Sequence, residues 1–206
     1  MNNEYKFSNQ WFDTHAKRVW DSLIPQINPT RILEIGSYEG ASACYLIEKQ
    51  ALDKDVEIFC IDTWEGGVEH SAIDMNEVEN RFIHNTNVAC GKVDNKAKLT
   101  KIKGFSDQEL CKLIANNKIG YFDFIYIDGS HQAFDVLSDA ILSFKLLKIN
   151  GFMVFDDYLW QEPLEYGVDP LRCPKPAIDA FTNIFCRKIK LINAPIYQIF
   201  LQKISE

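Results

Sequence analysis

Residues 31–42 read RILEIGSYEGAS: an apolar run carrying Glu34, a glycine at Gly36, and a second glycine at Gly40 that opens an amphipathic segment. A strand, a tight turn and a helix N-terminus follow one another here, the arrangement by which α/β proteins bring backbone against a bound nucleotide. The interval between glycines discriminates among ligands. A dinucleotide fold needs G-x-G-x-x-G, whose second glycine admits the pyrophosphate, whereas this turn is G-x-x-x-G with Tyr38 in that place. Glu34, two residues before Gly36, suits a ligand with a cationic group better than a phosphate.

Outward from this turn the chain alternates. Near-continuous apolar strands are predicted at 32–35, 56–61, 122–127 and 152–155 and a short strand at 98–102, with helices at 41–51, 107–116, 133–147 and 177–185. Continuous rather than alternating apolar strands imply a parallel sheet covered on both faces. Residues 188–192 and 196–203, flanking Asn193-Ala194-Pro195, read as an antiparallel hairpin. The predicted fold class is therefore α/β, doubly wound and Rossmann-like, with a mostly parallel seven-stranded sheet and an antiparallel C-terminal hairpin. An amphipathic helix is expected over 7–23, stopping at Pro25, and a capping box at Ser106 with Glu109. The polar stretch 69–88 is expected as a mobile lid, and 163–176, with four prolines, as a long loop forming the opposite wall. One domain covers 1–206: a helical cover at 1–28, a cofactor-binding core at 29–158, and an acceptor-side loop, helix and hairpin at 159–206.

Charge and composition exclude some functions. Lys and Arg number 22 against 29 Asp and Glu, a net charge of −7 that disfavours a broad phosphate-binding surface and hence nucleic acid. No run approaches the roughly 18 apolar residues of a membrane span, and MNNEYKFSNQWFD lacks a basic then apolar leader, so a cytoplasmic protein is expected. Six scattered cysteines form no C-x-x-C pair. Cys44, Cys60, Cys111 and Cys186 fall in apolar patterns and read as core; Cys90 and Cys173 fall in polar loops and read as exposed.

Ligands of a doubly wound sheet bind beyond the carboxyl ends of its strands. Five predicted strands each end in a polar cluster: Glu34 with Gly36, Asp62, Gly104 to Ser106, Asp128 to His131, and Asp156 with Asp157. Asp62 is spaced from Gly36 so that its carboxylate can accept ribose hydroxyls, and Ser106 either contacts an adenine or caps its helix. Neighbouring parallel strands lie about 4.8 Å apart, so Asp128 and Asp156 on adjacent strands can share one small cation. Magnesium favours such oxygen ligands and keeps waters of its own. Asp156 and Asp157 both reach one cation only if the strand has already ended, since adjacent strand residues point to opposite faces.

The turn at 31–42 resembles the first motif of class I S-adenosylmethionine-dependent methyltransferases. FDFIYIDGSHQAFDVLSDAILSFKLLKINGFMVFDDY at 122–158 and IDTWEGG at 61–67 resemble a methyltransferase family (domain 24 type) that includes metal-dependent O-methyltransferases acting on sugars and on antibiotic or polysaccharide hydroxyls. The likeness spans Arg31 to Tyr158 and, more loosely, 174–203. It implies S-adenosylmethionine at Glu34, Gly36, Ser37, Gly40, Ser42, Asp62, Trp64, Ser106 and Asp128, with the Trp64 ring covering the cofactor. It also implies Mg2+ or another divalent metal at Asp128, Asp156 and Asp157, and His131 or Asp128 as the base that deprotonates a hydroxyl. The acceptor expected is a small molecule or glycan, and a symmetric homodimer is the default assembly. Two competitors are weighed: a nicotinamide-dependent oxidoreductase, disfavoured by Tyr38, and a cofactor-binding module without turnover, disfavoured by Asp128, His131, Asp156 and Asp157 occurring together.

Overall fold

The apolar runs become strands whose side chains are buried on both faces: in β1 (Arg31–Ile35) every residue after Arg31 is buried, and in β4 (Phe122–Ile127) all of them are. The computed structural model describes residues 4–67, 70, 72–94 and 96–206. Its contacts divide into two halves, Met1–Gly104 and Phe105–Glu206.

In the first half β1, β2 (Val56–Asp62) and β3 (Ala97–Lys103) run parallel in the order β3-β2-β1. Helices α1 (Trp11–His15), α2 (Lys17–Ile27), α3 (Ala41–Gln50) and α4 (Met75–Lys92) accompany them. The helix expected over 7–23 is shorter at its start and longer at its end. Residues 6–8 are non-helical because the Lys6 and Ser8 amides donate to the side chains of Asn85 and Glu39 instead of to helical carbonyls. Pro25 lies inside α2, which runs on to a left-handed cap at Asn28 (φ 51°). A proline near the end of a helix removes a single backbone donor, which tertiary packing can offset. Residues 75–88, part of the stretch expected as a lid and read with helical intervals, belong to α4, which buries Val78, Phe82, Asn85, Thr86 and Ala89. Glu69, the start of that expected lid, lies outside the described residues.

The second half holds α5 (Ser106–Ala115), β4, α6 (Ala133–Leu146), β5 (Leu147–Phe155), α7 (Lys175–Ile184), β6 (Ile189–Ile192) and β7 (Ile199–Lys203). Its strand order is β4-β5-β7-β6, with β4 and β5 parallel and the other pairs antiparallel, as the hairpin reading required. Among the described residues the strands therefore number seven, mostly parallel with an antiparallel C-terminal pair, and the fold class is the Rossmann-like one expected. Lys203, 0% exposed, donates from Nζ to the carbonyls of Phe144 (3.1 Å) and Leu147 (2.9 Å) and so satisfies orphan acceptors at the end of α6. No helix among the described residues is long and apolar enough to cross a membrane.

Two local expectations fail. The capping box does not form: Phe105 is the N-cap of α5, without a side-chain cap bond, and the Ser106 hydroxyl bonds Asp139 on α6 instead. Among the cysteines, Cys173 is buried with its thiol on the Asp169 carbonyl at 3.2 Å, while Cys111 and Cys186 are exposed. Helical periodicity places Cys111 on the outer face of α5, whose inner face is Leu110 and Leu113.

Asp139 makes stability depend on pH. It is 2% exposed, its Oδ1 has no hydrogen-bond partner, and burial pushes its carboxyl from an ordinary 3.8 up to about 7, with the charges of Asp135 and Asp107 adding to the rise against the Ser106 bond. The fold thus prefers the protonated acid. Its contribution is fully present below about pH 4 and is lost as pH rises through about 7, with an upper bound of about 4 kcal/mol. Asp139→Asn is expected to flatten the decline in urea-unfolding stability between about pH 4 and pH 7; a variant whose profile still parallels wild type rules this out.

Candidate active site

The glycine turn is held by carboxylates. Gly36 (φ 80°) donates its amide to the Ile61 carbonyl at 2.9 Å, tying the end of β1 to that of β2. Tyr38 (φ 47°) and Trp64 (φ 50°) both adopt the left-handed conformation, which costs a non-glycine residue about 1–2 kcal/mol. Asp62 offsets that cost. Its Oδ2 accepts from the amides of Ser37 (2.8 Å) and Tyr38 (2.9 Å), and its Oδ1 from the amide of Trp64 (2.7 Å). Trp64 Nε1 returns a bond to the Tyr38 carbonyl at 3.0 Å.

Glu34, 0% exposed, accepts from the hydroxyls of Ser37 (2.6 Å) and Ser42 (2.5 Å). Burial raises its carboxyl, and the two serine bonds pull it back. Glu34, Ser37 and Ser42, expected as ligand contacts, therefore point their side chains at one another and brace the turn from inside. Trp64 is the residue expected to cover the cofactor. Its ring is buried beside Phe82 (centroids 4.9 Å apart) under the Lys101 ammonium (4.4 Å), so it supports the turn from below. At Gly40 (φ 80°) a Cβ would come within 3.0 Å of Phe82 and 3.2 Å of Thr86, so a glycine lets α3 start close against α4.

A second cluster lies in the other half, at the carboxyl ends of β4 and β5. The Tyr126 hydroxyl reaches Asp128 Oδ2 at 2.9 Å and also Asp156 Oδ2. Gln198 Nε2 donates to the same Asp156 oxygen at 2.9 Å, and the Asp157 amide donates to Asp156 Oδ1 at 2.8 Å. Burial, then the charge of Asp157, pushes the Asp156 carboxyl up to about 6; burial and the charges of Asp128 and Asp156 push the Tyr126 hydroxyl well above its ordinary value. One phenolic proton cannot serve two carboxylates at once.

β5 has ended at Phe155. The Asp156 amide still pairs with the Ile127 carbonyl at 3.0 Å, and Asp157 turns into the left-handed region (φ 56°). Asp157 consequently faces other partners, with Oδ2 2.9 Å from His131 Nε2 and Oδ1 accepting from the Tyr197 hydroxyl at 2.8 Å. Trp160 stacks on the His131 ring, centroids 4.0 Å apart. Asp128, His131, Asp156 and Asp157 all line one cavity that also includes Ile127, Val136, Phe155 and Pro174. The expected three-aspartate metal set is not assembled as such. Among the described residues no three His, Cys, Asp or Glu side chains are grouped to hold a metal, because Asp157 is paired with His131 while Asp128 and Asp156 meet at Tyr126.

A profile described as a methyltransferase domain matches residues 33–158, more than half of the chain and the stretch carrying both clusters. The chain belongs to this methyltransferase domain family. It is 25% identical over 179 residues to a caffeoyl-CoA O-methyltransferase of Populus kitakamiensis, covering 84% of this chain and 68% of that protein. Of the three curated relatives matched, the chain spans 50%, 68% and 51% of the length. The O-methyltransferase TomG of Streptomyces achromogenes, involved in tomaymycin synthesis and solved with S-adenosylmethionine, superposes with a TM-score of 0.63 at 17% identity over 89% of this chain and 77% of that one. The methyltransferase MycE of the mycinamycin biosynthetic pathway, solved with Mg and S-adenosylhomocysteine, has a TM-score of 0.55 at 22% identity over 98% of this chain and 51% of that one. At these identities the structures establish the fold of the methyltransferase domain.

Sequence reading missed Tyr126, Trp160, Tyr197 and Gln198. Tyr126 carried a signal, since a hydroxyl inside an otherwise apolar buried strand needs a partner. Tyr197 and Gln198 carried a weaker one: they precede an antiparallel strand, whose start lies beside the carboxyl end of β5.

Proposed function

We propose that the protein is an S-adenosylmethionine-dependent O-methyltransferase acting on a hydroxyl of a small molecule, a sugar or a glycan, with a divalent cation assisting. The observation that carries the reading is the cluster at the ends of β4 and β5, where a histidine held by an aspartate lines the same cavity as two further carboxylates. The family favours methyl transfer over the nicotinamide alternative, and the named relatives known as O-methyltransferases favour a hydroxyl acceptor.

Bound S-adenosylmethionine would supply a sulfonium methyl group, which the acceptor oxygen would take in line as the carbon–sulfur bond breaks and S-adenosylhomocysteine leaves as a neutral thioether. The glycine turn, locked by Asp62 and braced by Glu34, is the surface offered to it. An alcohol is a poor nucleophile at neutral pH, so a base is needed. His131 fills that role, oriented by Asp157 through Nε2 and held flat by Trp160; the imidazole accepts the hydroxyl proton as the methyl moves.

The carboxylates fit a divalent cation. Asp128 and Asp156 are hard oxygen donors brought to one phenolic hydroxyl. Magnesium is commonly held by one or two carboxylates with waters completing its shell. Asp128 and Asp156 would hold it, and it would lower the pKa of an acceptor hydroxyl.

Incubation with methyl-labelled S-adenosylmethionine and a panel of phenolic, sugar and polyketide alcohols tests the reading. Label is expected in an acceptor, lost in excess chelator and restored by Mg2+. Transfer that persists undiminished in chelator removes the metal. Binding of S-adenosylhomocysteine without transfer to any acceptor favours the binding module.

A further inference from the structure

The non-helical residues before α1 are clamped to the glycine turn. Glu39, a turn residue 2% exposed, accepts from the Ser8 amide (2.7 Å), the Ser8 hydroxyl (2.7 Å) and Arg81 Nε (2.5 Å). Asn85 on α4 takes the Lys6 amide on Oδ1 at 2.7 Å, and its Nδ2 donates to the carbonyls of Lys6 (3.2 Å) and Glu39 (3.0 Å). A buried carboxylate in a turn and a buried amide on a helix are thus both committed to a short polar segment. That is a costly arrangement for a loosely attached terminus, because each buried group needs its partners to stay in place.

The clamp sets down an aromatic side chain. Trp11, at the start of α1 and 52% exposed, lies 5.3 Å from the Tyr38 ring, with His70 stacked on Tyr38 at 5.2 Å and 6.3 Å from Trp11. Tyr38 is the residue held in the left-handed conformation where a dinucleotide fold would carry glycine. Its backbone is fixed by Asp62 and Trp64, and its side chain by Trp11 and His70.

We propose that residues 6–11 are a positioning strap for the cofactor turn: Glu39, Arg81 and Asn85 clamp the strap, and Trp11 holds Tyr38 so that the turn is preset for an adenosyl ligand. The inference rests on the cofactor reading above. Coupling of this kind is reciprocal, so what orders the turn for its ligand is itself ordered by that ligand. Trp11 and Tyr38 are positioning residues, and their effect belongs on cofactor affinity and not on the chemical step.

The test uses the full chain and S-adenosylhomocysteine. Titration calorimetry on wild type is expected to show binding, Trp11→Ala to weaken it about tenfold, and Trp11→Phe to restore most of it. Hydrogen exchange at the Lys6 and Ser8 amides of wild type is expected to slow when the ligand is added, an outcome that a merely structural strap would not give. In turnover, the KM for S-adenosylmethionine rises in Trp11→Ala while kcat holds. Equal affinity of wild type and Trp11→Ala, or exchange at Lys6 and Ser8 indifferent to ligand, overturns the strap while leaving the cofactor reading intact. Wild type that binds no S-adenosylhomocysteine overturns the cofactor reading, and the strap with it.

Discussion

Asp156→Asn is expected to lower kcat for methyl transfer about a thousandfold while S-adenosylhomocysteine affinity stays within about threefold of wild type. Three groups depend on the Asp156 carboxylate: the Tyr126 hydroxyl, Gln198 and the Asp157 amide. All three donate to it. An amide in its place turns one NH2 toward a donor, which costs about 1–3 kcal/mol in stability but leaves the backbone of β5 in register. The large loss should come from charge, because the variant removes half of the pair at Tyr126 that would hold a divalent cation. Chelator titration of both proteins checks this: wild type should fall toward the variant's rate, and the variant should barely respond. A variant with full turnover in excess chelator ends the proposal that Asp156 holds a metal.

The second large effect concerns Asp62, where replacement by Ala is expected to weaken S-adenosylhomocysteine binding about a hundredfold or more and to lower Tm. One carboxylate holds the amides of Ser37, Tyr38 and Trp64. Bonds to a charged acceptor contribute about 1.5–3 kcal/mol each, and two of the three amides belong to left-handed residues that relax once released. The same carboxylate retains one position for a ribose hydroxyl, since an ionised acid can accept about four hydrogen bonds and three are taken by the turn. Asp62→Asn separates the two roles. It keeps one oxygen for the turn, so a Tm near wild type with affinity still lost would assign Asp62 to the ligand, whereas recovery of both would assign it to the turn.

The strands and helices were legible because their signals are local. VEIFCI and FDFIYI are apolar but for Glu57 and Asp123, the near-continuous pattern that a strand covered on both faces shows. Polar residues at strand ends were equally visible, and Asp128, His131, Asp156 and Asp157 do line one cavity. What stayed hidden was how those residues are divided. Whether Asp157 joins Asp156 or turns to His131 depends on one backbone angle after Phe155, and apolar periodicity carries no information about it. The direction of the Glu34, Ser37 and Ser42 side chains was hidden for a similar reason: a polar residue at a turn can serve a ligand or the turn itself, and the residue type is the same.

Long-range pairing set the other limit. Residues 7 and 8 read as the start of a helix because Trp11, Phe12 and His15 beyond them keep helical spacing, yet Glu39 and Asn85, 31 and 79 positions from their partners, take the amides of Ser8 and Lys6. Pro25 misled in the opposite sense, since its helix runs through it to Asn28. In both cases tertiary contacts outweighed a local preference of about 1–3 kcal/mol.

Tyr38, Trp64 and Asp157 share a left-handed backbone that side chains of their kind seldom adopt. A library selected only for heat tolerance should therefore enrich Gly or Asn at half-buried Tyr38, where the exchange relieves strain, and not at Trp64, whose buried ring contributes more than its backbone strain costs. The survivors would be hardier proteins with slacker turns. On the strap reading, robustness gained at Tyr38 would come with weaker hold on the cofactor, so a heat screen needs a ligand-binding readout beside it.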